Sequence, residues 1–473
     1  MSFLHGIRLR GIALISSAAL SGCASIAMEE NFAATTEFAR AEFGVATTFN
    51  ASPESRAAAE TRASELLGAP LSAEGAQELA LRFSPGFQEL LAESAAASAA
   101  ATQSGRLPNP IFEWERLAAG HGVEIERALR LSLLDLLLLP RRATLADLQQ
   151  VQHRLRSAGD VVRTATETRQ AWVDAVAAAQ SVKYAEQVQS AAAAGAELGR
   201  AMAASGNFSR LERARQQAFY ADATAELARA RLEATTARER LVRLLGLGPE
   251  LASRLQLPER LPDLPAAAEA EVDVARRAFD DRLDVRLARA ELDYTAKSLG
   301  LTRATSTVNL LEVGRLRNST PEGESERGWV VEVAVPVFDF GDARRANARA
   351  IYLASLNRAA QVTVEAHSHV RESYVAYRTA YDLAKHYRDE IVPLRKSIAD
   401  ENLLLYNGML ISVFELLADA REQVASVRQA IAAQRDFWTA DAAMRAALIG
   451  QPVESIALGS PAVAPGAGAA APH

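Results

Sequence analysis

Residues 329–337 read Trp-Val-Val-Glu-Val-Ala-Val-Pro-Val. Successive side chains of an extended chain point to opposite faces, so Trp329, Val331, Val333, Val335 and Val337 line one face and Glu332, Ala334 and Pro336 the other. This is the cleanest strand in the chain. A polar loop from Asn318 to Gly328 precedes it, and before that come a strand from Thr305 to Arg315 and a helix from about Glu269 to Arg303. After it, a long helical run from Asp342 to Tyr406 reaches a turn at Asn407 and Gly408. A return helix then runs to Gly450 along a seam of Leu417, Ala420, Val424, Val427 and Ile431. Pro393 kinks the outgoing helix or divides it in two, because it lacks an N–H and clashes with the preceding turn.

The first half of the chain has the same order. A helix-forming run from Ala73 to Gly105 stops at Leu107, Pro108, Asn109 and Pro110. Ile111 to Leu117 reads as a short strand, and Gly120, His121 and Gly122 as a turn. Val123, Ile125, Leu129, Leu131 and Leu133 then alternate with Glu124, Glu126, Arg130 and Ser132, with Arg127 breaking the apolar side. From Arg141 to Ser205 a helix of roughly 95 Å meets no proline. Gly206 and Asn207 offer the tip turn. The return helix, Ser209 to Leu245, repeats Leu211, Ala214, Ala218, Ala221, Ala225, Ala228 and Leu232 in steps of three and four. Small residues on such a seam let helices approach closely. Leu261, Pro262, Asp263, Leu264 and Pro265 connect the halves.

The expected division is therefore a signal segment (1–22), an arm that is extended or partly helical (23–72), two strand-pair and helical-hairpin repeats (73–265 and 266–458), and a disordered Ala/Gly/Pro tail (459–473). A net charge of −6 gives no reason to expect nucleic-acid binding. Aromatics at 6% beside abundant Ala, Leu, Arg and Glu suit long, closely packed helices better than an enzyme core. Cys23 is the only cysteine, which excludes an intramolecular disulfide or a cysteine-built metal cage. Arg8 and Arg10, the apolar run Gly11 to Leu20 and then Ser21, Gly22 and Cys23 resemble a bacterial lipobox. That resemblance implies that Cys23 is acylated and becomes the first mature residue. Ala24 and Ser25 carry no inner-membrane retention aspartate, so it also implies outer-membrane sorting.

Beyond the signal no apolar run reaches the ~20 residues of a transmembrane helix, so a membrane crossing has to use strands. Four strands alone leave two open edges in lipid. Three copies, giving about twelve strands, would close a barrel, and the expectation is a homotrimer.

At this point the residues resemble the outer-membrane factor family of efflux systems, TolC-like proteins, over roughly Ala73 to Gly450. Arg106-Leu107-Pro108-Asn109-Pro110 is similar to the family's approach to its first strand, and Val335-Pro336-Val337-Phe338-Asp339-Phe340-Gly341 to the exit from its last. Tyr406-Asn407-Gly408, then Ser412-Val413-Phe414-Glu415-Leu416-Leu417 and Arg421, resemble the second hairpin tip. The resemblance implies a mainly α fold with membrane β: four strands per chain in a trimeric twelve-stranded β-barrel, continued by a long antiparallel α-helical coiled-coil tunnel in the periplasm. It implies a passive exit channel for substrate delivered by a periplasmic adaptor and an inner-membrane pump, seated in outer-membrane lipid. Ala418 stands where many relatives carry a second gate acid, and the tip is one residue longer than the usual pattern. A periplasmic coiled-coil structural lipoprotein is the alternative.

The tip residues to watch are Gly206, Asn207, Asn407, Gly408, Ser412, Glu415 and Asp419. Glu415 and Asp419, four apart, share a helix face and in a trimer would form acidic rings; a plain solvated face is the other reading. Arg210, Arg213 and Arg215 would pair with them or simply face water. His367 and His369, two apart on a helix, point to different faces and make a poor chelate, so no metal is expected. No phosphate loop or nucleophile motif is present, and neither catalysis nor a cofactor is expected. Trp114 and Trp329 suit a membrane-interface belt.

Overall fold

The computed structural model describes residues 29–119, 122–206, 208–270, 282–307, 309–320, 324–411 and 413–452. In order, these hold helices α1 (29–43), α2 (Pro53–Leu66), α3 (Ala73–Arg82) and α4 (Pro85–Ser104), then strands β1 (Ile111–Ala119) and β2 (Gly122–Ser132). The hairpin α5 (Leu133–Ala204) and α6 (Arg210–Leu245) follows, with a short α7 (Pro249–Ser253). The second half brings α8 (Leu283–Thr305), β3 (Leu311–Ser319), β4 (Ser325–Val333), α9 (Asp342–His386), α10 (Val392–Asn407) and α11 (Val413–Ile449). The signal segment, Cys23, Asn207, Ser412 and the tail from 453 lie outside the described residues.

The chain forms two compact units, one drawn from Met1–Phe38, Glu89–Gly159 and Leu283–Glu365, the other from Ala39–Gln88, Asp160–Arg282 and Ala366–His473. Each takes corresponding pieces of both halves.

The first unit holds one antiparallel sheet in the order β1-β2-β3-β4, so β1 and β4 are its edges. Its helices are tied by buried amides and hydroxyls. Asn31 Nδ2 of α1 donates to Ser98 Oγ of α4 (2.8 Å) and to Gln150 Oε1 of α5 (2.7 Å). Gln152 Nε2 reaches the Ala290 carbonyl of α8 at 3.1 Å, and Arg156 pairs with Glu291 at 2.7 Å. Because alanine-rich faces bury little apolar area, such polar ties fix which helix lies beside which.

In the second unit an apolar core joins Ala63 and Leu67 near the end of α2, Leu71, Leu79 of α3, Trp172 and Val176 of α5, and Leu241 and Leu245 of α6. Trp172 Nε1 donates to the Leu71 carbonyl at 2.8 Å. A second cluster packs Tyr377 and Tyr381 of α9 on Phe437 and Met444 of α11. The Tyr381 hydroxyl bonds the Pro265 and Ala266 carbonyls at 3.2 and 3.1 Å, anchoring the connector between the halves. Arg282, 2% exposed, donates to the Ala447 carbonyl at 2.6 Å, a cation placed on the last turn of α11 where free carbonyls accumulate.

Several boundaries differ from the sequence reading. The arm is partly helical: α1 and α2 form, and the core takes in Ala63, Leu67 and Leu71, which the sequence reading does not assign to it. The run 73–105 breaks at Ser84, where Pro85 opens a new helix. Strand β2 stops at Ser132, whose Oγ accepts the Asp135 N–H (3.2 Å) and caps α5 eight residues early, so Pro140 lies within that helix. Strand β3 starts at Leu311, not Thr305. There Thr305 Oγ1 and Ser306 Oγ bond back to the Leu301 and Arg303 carbonyls (both 3.1 Å) at the end of α8. Strand β4 begins at Ser325 and ends at Val333, since its partner β3 spans only that length and Pro336 offers no donor. Pro393 divides the outgoing helix as expected: the Val392 N–H reaches the Tyr387 carbonyl in a π turn over Tyr387–Ile391.

The seam assigned to α6 is also displaced. Gln216, Ala223, Leu227 and Ala230 are buried, whereas Leu211 and Leu232 are 60% and 69% exposed. The stripe of small and apolar residues remains, but it faces away from the chain's own core. The seam of α11 holds, with Ile431 buried and Leu417, Ala420, Val424 and Val427 half-buried.

Gly246 closes α6 in the left-handed region at φ 68°, where a Cβ would come 2.1 Å from Pro85 Cδ. Gly246→Ala combines backbone strain with this overlap and is expected to destabilise the fold by about 2–3 kcal/mol, read as a lowered thermal midpoint.

Candidate functional site

The strand register sorts every strand carboxylate to one face of the sheet. Directly paired residues of an antiparallel ladder share a face, so one face carries Glu113, Glu115, Glu124, Glu126, Glu312, Glu326 and Glu332. Its only cation among the described residues is Arg130, which bridges Glu113 (2.9 Å) and Glu332 (3.0 Å). Glu115 lies opposite Glu126, and Glu312 opposite Glu332. Asn318 Nδ2 donates to Glu124 at 2.6 Å. Carboxylates set side by side in this way call for water or cations above them.

The other face carries no carboxylate in any described strand. Leu311, Val333, Leu131, Val313, Val331, Phe112, Leu129 and Trp329 lie toward the end that passes into the helices. Phe112, Val331 and Trp329 are 65%, 66% and 74% exposed in the single chain. Trp114 and Trp329, singled out in the sequence, both stand on this face, and Arg315 stacks 5.6 Å over the Trp329 ring. The alternation was legible, but the sorting of every strand glutamate to one face needed the register.

The hairpin tips lie in the second unit. Gly206 turns at φ 79° with open space where a side chain would be, and Ser209 caps α6 in a capping box with Glu212. That backbone hydrogen bond holds the Glu212 carboxyl below its ordinary pKa. At the second tip Asn407 ends α10, and Gly408 keeps φ at −79°. The left-handed position passes to Met409, φ 60° and 92% exposed, closed by Leu410 N–H on the Leu405 carbonyl at 2.8 Å. Sequence reasoning placed the turn on Asn407 and Gly408 and missed Met409, because methionine gives no turn signal.

Glu415 is exposed, while Asp419 is half-buried and accepts a hydrogen bond from Asn402 across the α10–α11 hairpin. The two acids are therefore not equivalent. Arg421 links the hairpins: its guanidinium lies 4.8 Å over the Phe219 ring of α6 and donates to the Arg215 carbonyl at 3.5 Å. Arg428 adds an ion pair to Glu226. Phe219 carried no signal in the sequence, since its role depends on which helix lies opposite. His367 is exposed and His369 half-buried, and no metal-holding cluster occurs among the described residues.

No protein-family model and no curated protein matches the sequence. Solved structures do. The outer membrane protein VceC of Vibrio cholerae is 15% identical with a TM-score of 0.67, covering 80% of this chain and 96% of its own. The CmeC outer membrane channel of Campylobacter jejuni is 12% identical with a TM-score of 0.69, covering 82% and 87% respectively. The open-state MtrE outer membrane channel of Neisseria gonorrhoeae is 16% identical with a TM-score of 0.62, covering 80% and 89%. The chain has the fold of these outer-membrane channels: mainly helical, with a four-stranded antiparallel sheet.

Met409 sets a side chain where glycine is favoured. Met409→Gly is expected to raise the thermal midpoint by an amount equivalent to about 1 kcal/mol, and Gly408→Ala, at an ordinary φ, to change it little.

Proposed function

We propose that this protein is the outer-membrane exit channel of a tripartite efflux or secretion system, a member of the outer-membrane factor family. The observation that carries the reading is the two-faced sheet with unpaired edges. A sheet with carboxylates on one face and aromatic and aliphatic rows on the other suits a wall between water and lipid. It does not suit a soluble layer, which would bury the apolar side against a helix.

Edges at β1 and β4 support association of copies, and three would supply twelve strands. The exposed stripe on α6, with Leu211 and Leu232 at its ends, is a matching surface for a neighbouring protomer among the helices. The likeness to VceC, CmeC and MtrE supports the same reading. In this reading the chain is a homotrimer anchored through acylated Cys23, with its helices in the periplasm of a Gram-negative bacterium. A periplasmic adaptor engages the tips around Gly206, Asn207, Asn407, Gly408 and Ser412, and an inner-membrane pump supplies the substrate. Glu415, exposed at the tip, is the better candidate for an acidic ring, and Asp419 serves the hairpin.

The glutamate face then lines the pore and sets its selectivity. Purified protein is expected to migrate as a heat-modifiable trimer and to conduct in planar bilayers with cations favoured over anions. Replacing Glu113, Glu126 and Glu332 by Gln is expected to lower the cation-to-anion permeability ratio severalfold without abolishing conduction. A water-soluble monomer after Cys23→Ser, with no conductance in any preparation, overturns the channel and favours a periplasmic scaffold.

A further inference from the structure

One row of the sheet's apolar face is not apolar. Trp114, Arg127, Arg317 and Arg327 are aligned directly across the four strands, two residues before the end of the β3–β4 hairpin, while β1 and β2 run on to Ala119 and Gly122. Arg116 lies one row further out and Arg315 one row in. None of these five arginines has an ion pair among the described residues; Arg317 donates only to Ser325 Oγ at 3.3 Å, and Arg315 rests on Trp329. Neighbouring strands are about 4.8 Å apart, so three guanidinium groups are gathered within roughly 10 Å. Like charges directly opposite one another in a ladder are destabilising. Among the described strand residues no carboxylate shares their face to offset the repulsion, because every strand glutamate lies on the other side of the sheet.

We infer that this arginine row is a binding surface for the phosphate groups of an anionic lipid in the outer leaflet. The inference rests on the channel reading and adds to it a specific lipid chemistry. The guanidinium group forms paired hydrogen bonds with phosphate oxygens, which a row of lysines would not reproduce. Depth fixes the placement. An arginine on the lipid face costs about 2–4 kcal/mol at the bilayer midplane and about 0–1 kcal/mol near the interface. The row therefore sits at headgroup level, with Arg315, Leu129 and Trp329 at the boundary one row in and Leu131, Val313, Val331 and Val333 in hydrocarbon beneath. Trp114 within the row and Trp329 beside it are the aromatic rings expected at that depth. Three copies would carry the row around the whole barrel.

The test compares wild type with R127Q/R317Q/R327Q, both as detergent-purified protein, titrated with lipid A, with phosphatidylcholine and with inorganic phosphate while the melting temperature is followed. Lipid A is expected to raise the wild-type melting temperature, and the triple variant to need roughly tenfold more of it or more for the same shift. Neither phosphatidylcholine nor inorganic phosphate at equal concentration is expected to match lipid A. Arg130→Gln, on the glutamate face, is expected to respond as wild type does. If the triple variant does not fold, R127K/R317K/R327K, which keeps the charge, replaces it and is expected to show an intermediate shift. Equal responses of wild type and variant to lipid A, or a wild-type response to inorganic phosphate alone, overturn the inference. Conductance in planar bilayers separates the two readings: a variant that conducts normally but ignores lipid A supports both, whereas wild type that neither conducts nor enters bilayers removes the channel itself.

Discussion

A β-ladder satisfies the polar groups of a strand only on the sides where it has a neighbour, and β1 and β4 each have one neighbour. In water this is tolerable. With the aromatic and aliphatic face against lipid it is not, since an unpaired N–H or C=O in hydrocarbon costs several kcal/mol and a strand presents many. The rest of the proposed assembly descends from this constraint. The sheet has to continue into another copy, the copies have to close on themselves, and the helices that follow each strand pair are brought together by the same closure. In that proposed assembly the exposed stripe on α6 would be the helical counterpart of the open edge.

What sequence can convey about such a molecule is set by the range of the interactions concerned. Alternation from Trp329 to Val333 and the glycine after α6 are local, and both are legible. The end of β4 is only partly so: Val335 and Val337 continue the alternation, and although Pro336 lacks a donor, it is the length of β3 beside them that places the last pair at Val333. Likewise two stripes of α6 have a coiled-coil period, and no local rule says that Ala223 and Leu227 turn inward while Leu211 and Leu232 turn out. The arm between residues 29 and 71 reads only as extended or partly helical, and its part in the core is hidden for a related reason. Alanines give little hydrophobic signal, yet they are the residues that allow helices to approach closely.

The tips show the same limit for function. Glu415 and Asp419 share a helix face, yet the hydrogen bond that Asp419 accepts comes from Asn402, seventeen positions away, which no local spacing reveals. Phe219 and Arg421 meet across two hairpins that sequence treats separately. Charge sorting on the sheet is the most informative feature of the molecule, and it follows from simple parity once the register is known: no strand breaks the alternation, so each glutamate keeps to one side.

The π turn ahead of Pro393 has an effect on symmetry. A π turn acts as one inserted residue in a helix and rotates everything beyond it by about 100°. Helix α5 runs from Leu133 to Ala204 without such a turn, so the two outgoing helices are not built alike although they hold corresponding places in the two halves. In the proposed trimer the two hairpins of each chain would therefore present different side-chain faces at their tips, and a partner docking there would meet two kinds of surface rather than one.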